Sequence, residues 1–249
     1  MNEASPSGAE PGRRIDLTSF AAAGVAVVFG ASGGIGGALT RALRDARHFE
    51  SMLAFSRQSA PALDLLDEAS IARTAAVAAE AGALRLVIDA TGFLHDARQA
   101  PEKSWRQIEA DNLARAFALN AIGPALIMKH VLALEPRDGK FVFATLSARV
   151  GSIGDNRLGG WYAYRASKAA LNQITRTAAV ELARRSPEAI CVALHPGTVA
   201  TGLSQSFTSA GRDIHAPDQA AQHILSVINH LTPEANCEFF DWRGEIIPW

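Results

Sequence analysis

Along the chain, short runs that are apolar at every position alternate with longer Ala-rich stretches whose apolar residues recur at helical spacing. The first run, Val25-Ala26-Val27-Val28-Phe29, is followed by a helical pattern to about Arg47 and by a second run, Met52-Leu53-Ala54-Phe55. The rhythm continues with a helix near 68–81, a strand over Leu84–Asp89, a long helix around 109–134 and a strand over Lys140–Thr145. A helix from Tyr162 to Arg185 follows, then strands near 189–194 and 237–241 separated by a helix near 217–230. Strands without polar alternation must be covered on both faces, and their regular exchange with helices predicts a parallel sheet. The expected class is α/β, a doubly wound parallel sheet with helices on both faces. Residues 1–22, with Pro, Gly and Ser and then a short mixed segment, read as a loose N-terminal extension, and 23–249 as a single domain.

Composition narrows the function classes. A chain of 249 residues can bury roughly 72% of the surface its unfolded form exposes. With 48% apolar and 20% charged residues, and 24 basic against 25 acidic side chains, it has the balance of a globular domain, which excludes disorder, collagen and coiled coil. Few of the basic residues are Lys and no block of like charges appears, so no nucleic-acid partner is expected. Cys191 and Cys237 lie far apart, without a CxxC pair or a His-rich segment, and read as buried thiols rather than metal ligands. The polar start lacks the apolar core of a secretory signal, and no stretch of 18 uninterrupted apolar residues follows; the expectation is a cytoplasmic protein with no membrane partner.

The first strand runs into Gly30-Ala31-Ser32-Gly33-Gly34-Ile35-Gly36-Gly37, and a helical pattern begins there. Strand, glycine turn and helix N-terminus in this order make a pyrophosphate site, because bare backbone lets phosphate oxygens approach N–H groups at the positive end of the helix dipole. The domain therefore reads as Rossmann-like, dinucleotide-binding and catalytic. Its Gly-x-x-x-Gly-x-Gly spacing differs by one residue from the commoner dinucleotide fingerprint.

Tyr164 and Lys168 stand four apart in a helical stretch, so both project from one face, and an ammonium beside a phenol favours the phenolate. That pairing is an acid–base device: a phenol with a pKa near 10 becomes useful for moving a proton to or from a carbonyl oxygen when a neighbouring cation lowers it.

Taken together, the glycine turn, Asp89-Ala90-Thr91-Gly92, Asn120, the Tyr164-Arg165-Ala166-Ser167-Lys168 segment and Pro196-Gly197 resemble, in order, the short-chain dehydrogenase/reductase family. Gly151-Ser152-Ile153, the run Gly159 to Lys168 and Phe239-Phe240-Asp241-Trp242-Arg243-Gly244 are similar to its C-factor/sniffer subgroup. The resemblance implies hydride transfer between a nicotinamide and a small carbonyl or alcohol substrate, with a cofactor-binding regulatory or signalling role on the same fold as the alternative. It implies that Tyr164 handles the proton, that Lys168 tunes it and holds the cofactor ribose, and that Asn120 helps hold a water in a relay with the lysine. It assigns Gly30, Ser32, Gly34, Ile35, Gly36 and Gly92 to the cofactor, with Pro196, Gly197, Val199 and Thr201 against the nicotinamide, and it implies a homodimer or homotetramer built on the helices at 109–134 and 162–185.

Two positions depart from or refine the pattern. The family's catalytic serine falls on Ala148, with Ser147 one residue earlier; adjacent side chains on a strand point to opposite faces, so Ser147 needs a local bulge to take the role. Ser152 is the other candidate, and Ser147 ranks first because it lies nearer the strand's end. After the second strand, Phe55-Ser56-Arg57 offers no carboxylate for a ribose 2′-hydroxyl, whereas Arg57 can fork a 2′-phosphate, so NADP is expected over NAD. Asp64, with Leu65, matches the family's adenine-reading position. Residues 202–216 occupy the place of the family's substrate lid, and Trp161, Tyr162 and Phe207 are candidate pocket aromatics.

Overall fold

A computed structural model describes residues 15–202 and 214–249. In chain order the elements are β1 (Val25–Phe29), α1 (Gly34–Ala46), β2 (Ser51–Phe55), α2 (Glu68–Glu80), β3 (Leu84–Asp89), α3 (Ala110–Phe117), α4 (Gly123–Val131), β4 (Phe141–Leu146), α5 (Tyr162–Arg185), β5 (Ala189–His195), β6 (Thr198–Val199), β7 (Ile214–His215), α6 (Pro217–His230) and β8 (Phe239–Asp241). Six strands form one sheet in the order β2-β1-β3-β4-β5-β8, and every adjacent pair is parallel. The expected doubly wound α/β sheet is what the chain forms.

Successive residues of each strand feed opposite faces, as the pleat requires. Ala26, Val28, Leu86, Ile88, Val142, Ala144, Val192 and Leu194 pack with Leu39 and Leu43 of α1 and Ile224, Leu225 and Ile228 of α6. Val25, Val27, Phe29, Val87, Phe141, Phe143 and Cys191 pack with Ile71 of α2, Ile127 and Val131 of α4, and Leu171, Ala179 and Leu182 of α5. This is why the middle strands are apolar on both faces, with polar residues such as Asp89, Thr145 and His195 at or near their carboxyl ends. The stretch Ala110–Leu134 is long and apolar enough to cross a membrane by length and composition, with mean hydropathy 1.5, but here it packs against α2 and α5 over the sheet.

The chain reverses direction across the sheet at β1, which has β2 on one side and β3 on the other. Strand ends diverge there, and in such sheets the crevice outside the carboxyl ends is where ligands bind. The glycine turn after β1 sits at that point.

One boundary differs from the sequence expectation. Residues 15–22 are not a loose extension: Leu17 and Phe20 are 1% and 3% exposed and belong to the α1–α6 core. Ser19 donates to Asn229 Oδ1 at 2.7 Å, and Lys140 lies over the Phe20 ring at 4.7 Å. Ile15, Leu17 and Phe20 sit in too short and mixed a segment for their spacing to reveal this. Phe20→Ala should cost about 3 kcal/mol, as for other buried aromatic truncations; denaturant unfolding that shows a loss under about 1 kcal/mol contradicts the packed start.

Candidate active site

At the first strand's end, Gly30 takes φ +84°, and a Cβ on Gly36 would stand only 2.2 Å from the Gly30 carbonyl oxygen. The turn closes so tightly that only bare backbone fits. Gly33 caps α1 without a side-chain hydrogen bond, and Ser32, Gly33 and Gly34 are exposed at the positive end of the helix, with the Thr201 side chain beside Gly34. The Gly30 and Ala31 amides both donate to Phe55 O, at 2.8 and 3.0 Å, which ties the turn to the end of β2 and to the approach of Arg57.

This turn forms one wall of a cavity of about 430 Å³. Ser32, Gly34, Ile35, Gly36, Gly92, Ser147, Tyr164, Lys168, Pro196 and Thr201 all line it. A second cavity, of about 470 Å³, adjoins it through Ile35, Tyr164 and Pro196 and extends to Leu94, Ala148, Arg149, Val150, Trp161, Gly197 and Val199. Arg57, Asp64 and Leu65 line neither; Arg57 is exposed, Asp64 accepts from the Leu66 amide at 2.9 Å, and Leu65 packs against Gly123. Tyr162 and His195 divide similarly, with only His195 on the second cavity's wall. Phe207 and most of 202–216 lie outside the described residues.

Lys168 and Tyr164 sit on one face of α5. Lys168 is 2% exposed and donates from Nζ to Leu146 O at 2.8 Å. Burial lowers its pKa to about 8, opposed by the negative charge of Asp89, so the ammonium is the main form at neutral pH. Asp89 is itself fully buried; it accepts from the Thr91 amide and hydroxyl at 3.0 and 2.6 Å and from Thr145 Oγ1 at 2.8 Å. Burial raises its carboxyl above the ordinary carboxylate range despite these donors and Lys168. For Tyr164 the electrostatics reverse the expectation from sequence: burial pushes the phenol up to about 12 rather than the ammonium pulling it down. The protein without ligand therefore holds a phenol, a proton donor.

Asn120 reaches the site from a π turn, Ala118–Ile122, that interrupts the helix between α3 and α4. Such single-turn bulges gather at functional positions. Its Oδ1 accepts from the Phe93 amide and its Nδ2 donates to the Phe93 carbonyl, both at 2.7 Å, and Nδ2 also donates to Ser167 Oγ at 3.0 Å. The side chain thus locks the segment after β3 to α5, and it leaves Gly92 facing Lys168: a Cβ there would lie 3.7 Å from Nζ.

Ser147 directly follows the end of β4. No bulge occurs; its amide continues the ladder to Leu194 O at 2.8 Å, and Ala148 follows in extended conformation. The Ser147 hydroxyl is buried and donates to Asn172 Oδ1 at 2.5 Å, although Ser147 lines both cavities and stands beside Ala148 on the wall of the second. Ser152 is occupied as well, donating to Pro248 O and accepting from the Asp155 amide. Both hydroxyls are thus already engaged in hydrogen bonds. Asn172 extends the Tyr164, Lys168 spacing by four more residues, a signal the sequence carried.

Other parts had no such signal. The Pro196–Val199 segment is backed by His215, His223 and Trp242, with ring centroids 4.4 to 5.1 Å apart, from three distant stretches. Among the described residues no group of three or more His, Cys, Asp and Glu is placed to hold a metal ion.

A glycine-turn cavity with a tyrosine and a buried lysine on its floor defines a nucleotide-dependent oxidoreductase of the α/β class. Comparison then fixes the family: the family model described as enoyl-(acyl carrier protein) reductase matches residues 18–229. C-signal of Myxococcus xanthus is 35% identical over 142 residues, 57% of this chain and 81% of that protein. The 1-hydroxy-2-glutathionyl-2-methyl-3-butene dehydrogenase of Rhodococcus sp. (strain AD45) is 31% identical over 189 residues, 76% of this chain and 79% of that one. In fold, the NADPH-bound carbonyl reductase from chicken fatty liver superimposes with TM-score 0.78 at 24% identity, covering 90% of this chain and 94% of that one. Carbonyl reductase Sniffer of D. melanogaster gives 0.76 at 21%, covering 91% and 99%. The chain belongs to the short-chain dehydrogenase/reductase family and is one of its oxidoreductases.

The placement of Ser147 makes a sharp expectation. Ser147→Ala should leave turnover within about threefold while costing about 1–2 kcal/mol of stability through the unpaired Asn172, and Ala148→Ser should raise turnover. Steady-state rates beside unfolding curves check this; a Ser147→Ala loss of about 10²-fold, the scale of a lost oxyanion donor, contradicts it.

Proposed function

We propose that the protein is an NADP-dependent oxidoreductase acting on the carbonyl or alcohol carbon of a small molecule. The observation that carries this is the convergence of Tyr164, Lys168 and the exposed start of α1 on one cavity. The glycine turn, closed so tightly that a Cβ on Gly36 would strike the Gly30 carbonyl oxygen, offers bare backbone to a pyrophosphate approaching the α1 amides. Lys168 would hold the ribose, Gly92 the adenosine side, and Pro196, Gly197, Val199 and Thr201 the nicotinamide. Arg57 would take the 2′-phosphate, with Asp64 and Leu65 at the adenine edge; no carboxylate lies within ion-pair distance of Arg57 among the described residues, so its charge is uncommitted. The nicotinamide, when bound, supplies a hydride to a carbonyl carbon or takes one from an alcohol.

Tyr164 gives its phenolic proton to the carbonyl oxygen as the carbon is reduced. With the phenol near 12, the resting protein is poised for reduction rather than oxidation. Lys168, charged at neutral pH, stabilises the phenolate left behind. Asn120 positions the wall between them. Partner names support the chemistry: the Rhodococcus relative is named a dehydrogenase and the structural neighbours carbonyl reductases. A regulatory, cofactor-binding role is the second reading; the absent hydroxyl at Ala148 favours it, as does the name C-signal. By the same reading the protein works in the cytoplasm, where Cys191 and Cys237 stay free thiols, as a homodimer or homotetramer joined through α4 and α5.

Tyr164→Phe should lower the chemical step by about 10²–10⁴-fold with cofactor affinity kept; single-turnover reduction of an aldehyde by NADPH measures it, and an undiminished rate rules out Tyr164. NADPH should bind tighter than NADH by about 1–3 kcal/mol, a gap that Arg57→Ala closes in calorimetric titration; equal affinities in the unaltered protein contradict the assignment. Because Lys168 loses its proton near 8, kcat/KM for the cofactor, which reports groups of the free protein, should be level at neutral pH and fall as pH rises past about 8. A profile that stays level to about pH 10, the ordinary lysine range, contradicts a buried, catalytically required ammonium.

A further inference from the structure

We propose that the substrate carries an anionic oxygen group, a carboxylate or phosphate remote from the reacting carbon, which Arg157 and Arg165 receive on the wall of the second cavity. The inference rests on the oxidoreductase reading of the adjoining site. Beyond Tyr164 that cavity combines apolar Leu94, Val150 and Leu158 with Arg149, Arg157 and Arg165, and among the described residues Asp155 is the one acid on its wall.

Arg149 is already balanced, by Asp155 at 3.3 Å and Asp241 at 3.6 Å. The other two arginines are not. Arg157 donates only to backbone, Gly154 O at 3.0 Å and Asn156 O at 3.3 Å. Arg165 donates to Gly160 O at 2.9 Å, Val150 O at 3.3 Å and Gly159 O at 3.2 Å. No carboxylate comes within 4.0 Å of either guanidinium among the described residues. Carbonyl oxygens orient a guanidinium without neutralising it, and with five N–H donors each, both side chains keep donors to spare. Burial acts against the charge of Arg165, so an arriving anion restores what dehydration removes. The three carbonyls also hold Arg165 in place, so the fork is set before the ligand arrives.

The apolar stretch between Tyr164 and the arginines fits a molecule with a carbonyl at one end, a hydrocarbon or aromatic body and an anion at the other. The anion takes no part in the reaction. It fixes the carbonyl against Tyr164, and its contribution is to specificity.

The test compares 4-formylbenzoate, its methyl ester and 4-formylphenyl phosphate as substrates with NADPH, in the unaltered protein and in Arg157→Ala and Arg157→Lys. The expected result is a kcat/KM about tenfold or more in favour of an anionic aldehyde over the ester, about 1.4 kcal/mol. That ratio closes to about twofold in Arg157→Ala, is partly restored by Lys, and weakens with added salt. Preference for the phosphate over the benzoate identifies the anion as phosphate, and the reverse as carboxylate. Equal kcat/KM for acid and ester, or a ratio untouched by Arg157→Ala, overturns the proposal. If no aldehyde is turned over with NADPH or NADH, the oxidoreductase reading fails; calorimetric binding then decides the anion site alone, with about tenfold tighter binding of 4-formylbenzoate than of its ester supporting it and equal binding overturning it.

Discussion

A lysine ammonium buried to 2% exposure has to be compensated, since dehydrating such a charge costs several kcal/mol unless partners replace the water. The partners of Lys168 come from strand ends: the Leu146 carbonyl where β4 stops, and Asp89 where β3 stops. Parallel register sets Asp89 beside Thr145, whose hydroxyl holds the carboxyl, so the compensation is written into the sheet. Four residues back along α5, Tyr164 is delivered to the same cavity by helix geometry alone. The π turn adds the last constraint, because Asn120 can pin the chain after β3 to α5 only if the helix bulges there. Once the ammonium is anchored, little freedom is left in where the proton donor stands.

That arrangement carries a deficit as well. Ser147 lines the cavity with Tyr164 but gives its hydroxyl to Asn172, and Ala148 beside it adds only a methyl group to the wall. Arginines held by backbone carbonyls crowd the adjacent wall instead. Substrate positioning from that wall can offset part of a missing oxyanion donor, since orientation and charge stabilisation act on the same barrier.

Much of the fold was legible because both-face burial leaves a plain mark: β1 and β5 are apolar at nearly every position, and α5 and α6 run over the residues their periodicity predicts. The glycine turn was legible because close approach admits no other residue. Leu17 and Phe20 were missed because so short and mixed a segment makes no period. The π turn leaves no trace in the apolar pattern of 109–134, and its cause is tertiary. The fate of Ser147 depended on a partner 25 residues away. The phenol's raised pKa escaped the sequence for a related reason: spacing shows that a cation is near, not how much water both groups have lost. Of the arginine wall, Arg165 rides on α5, whereas Arg149 and Arg157 come from the irregular stretch before it, whose path no local pattern specifies.

Direct hydride transfer at this cavity is the step on which the proposed reaction depends, and isotope tracing follows that step itself. The protein is incubated with an aldehyde it reduces and with NADPH deuterated at the transferring C4 position, and the alcohol is analysed by mass spectrometry. Direct transfer predicts one deuterium on the former carbonyl carbon and none on oxygen, where the proton comes from Tyr164 and ultimately from water. An alcohol without deuterium, or no alcohol while cofactor binds tightly, contradicts it and turns the site into a nucleotide sensor.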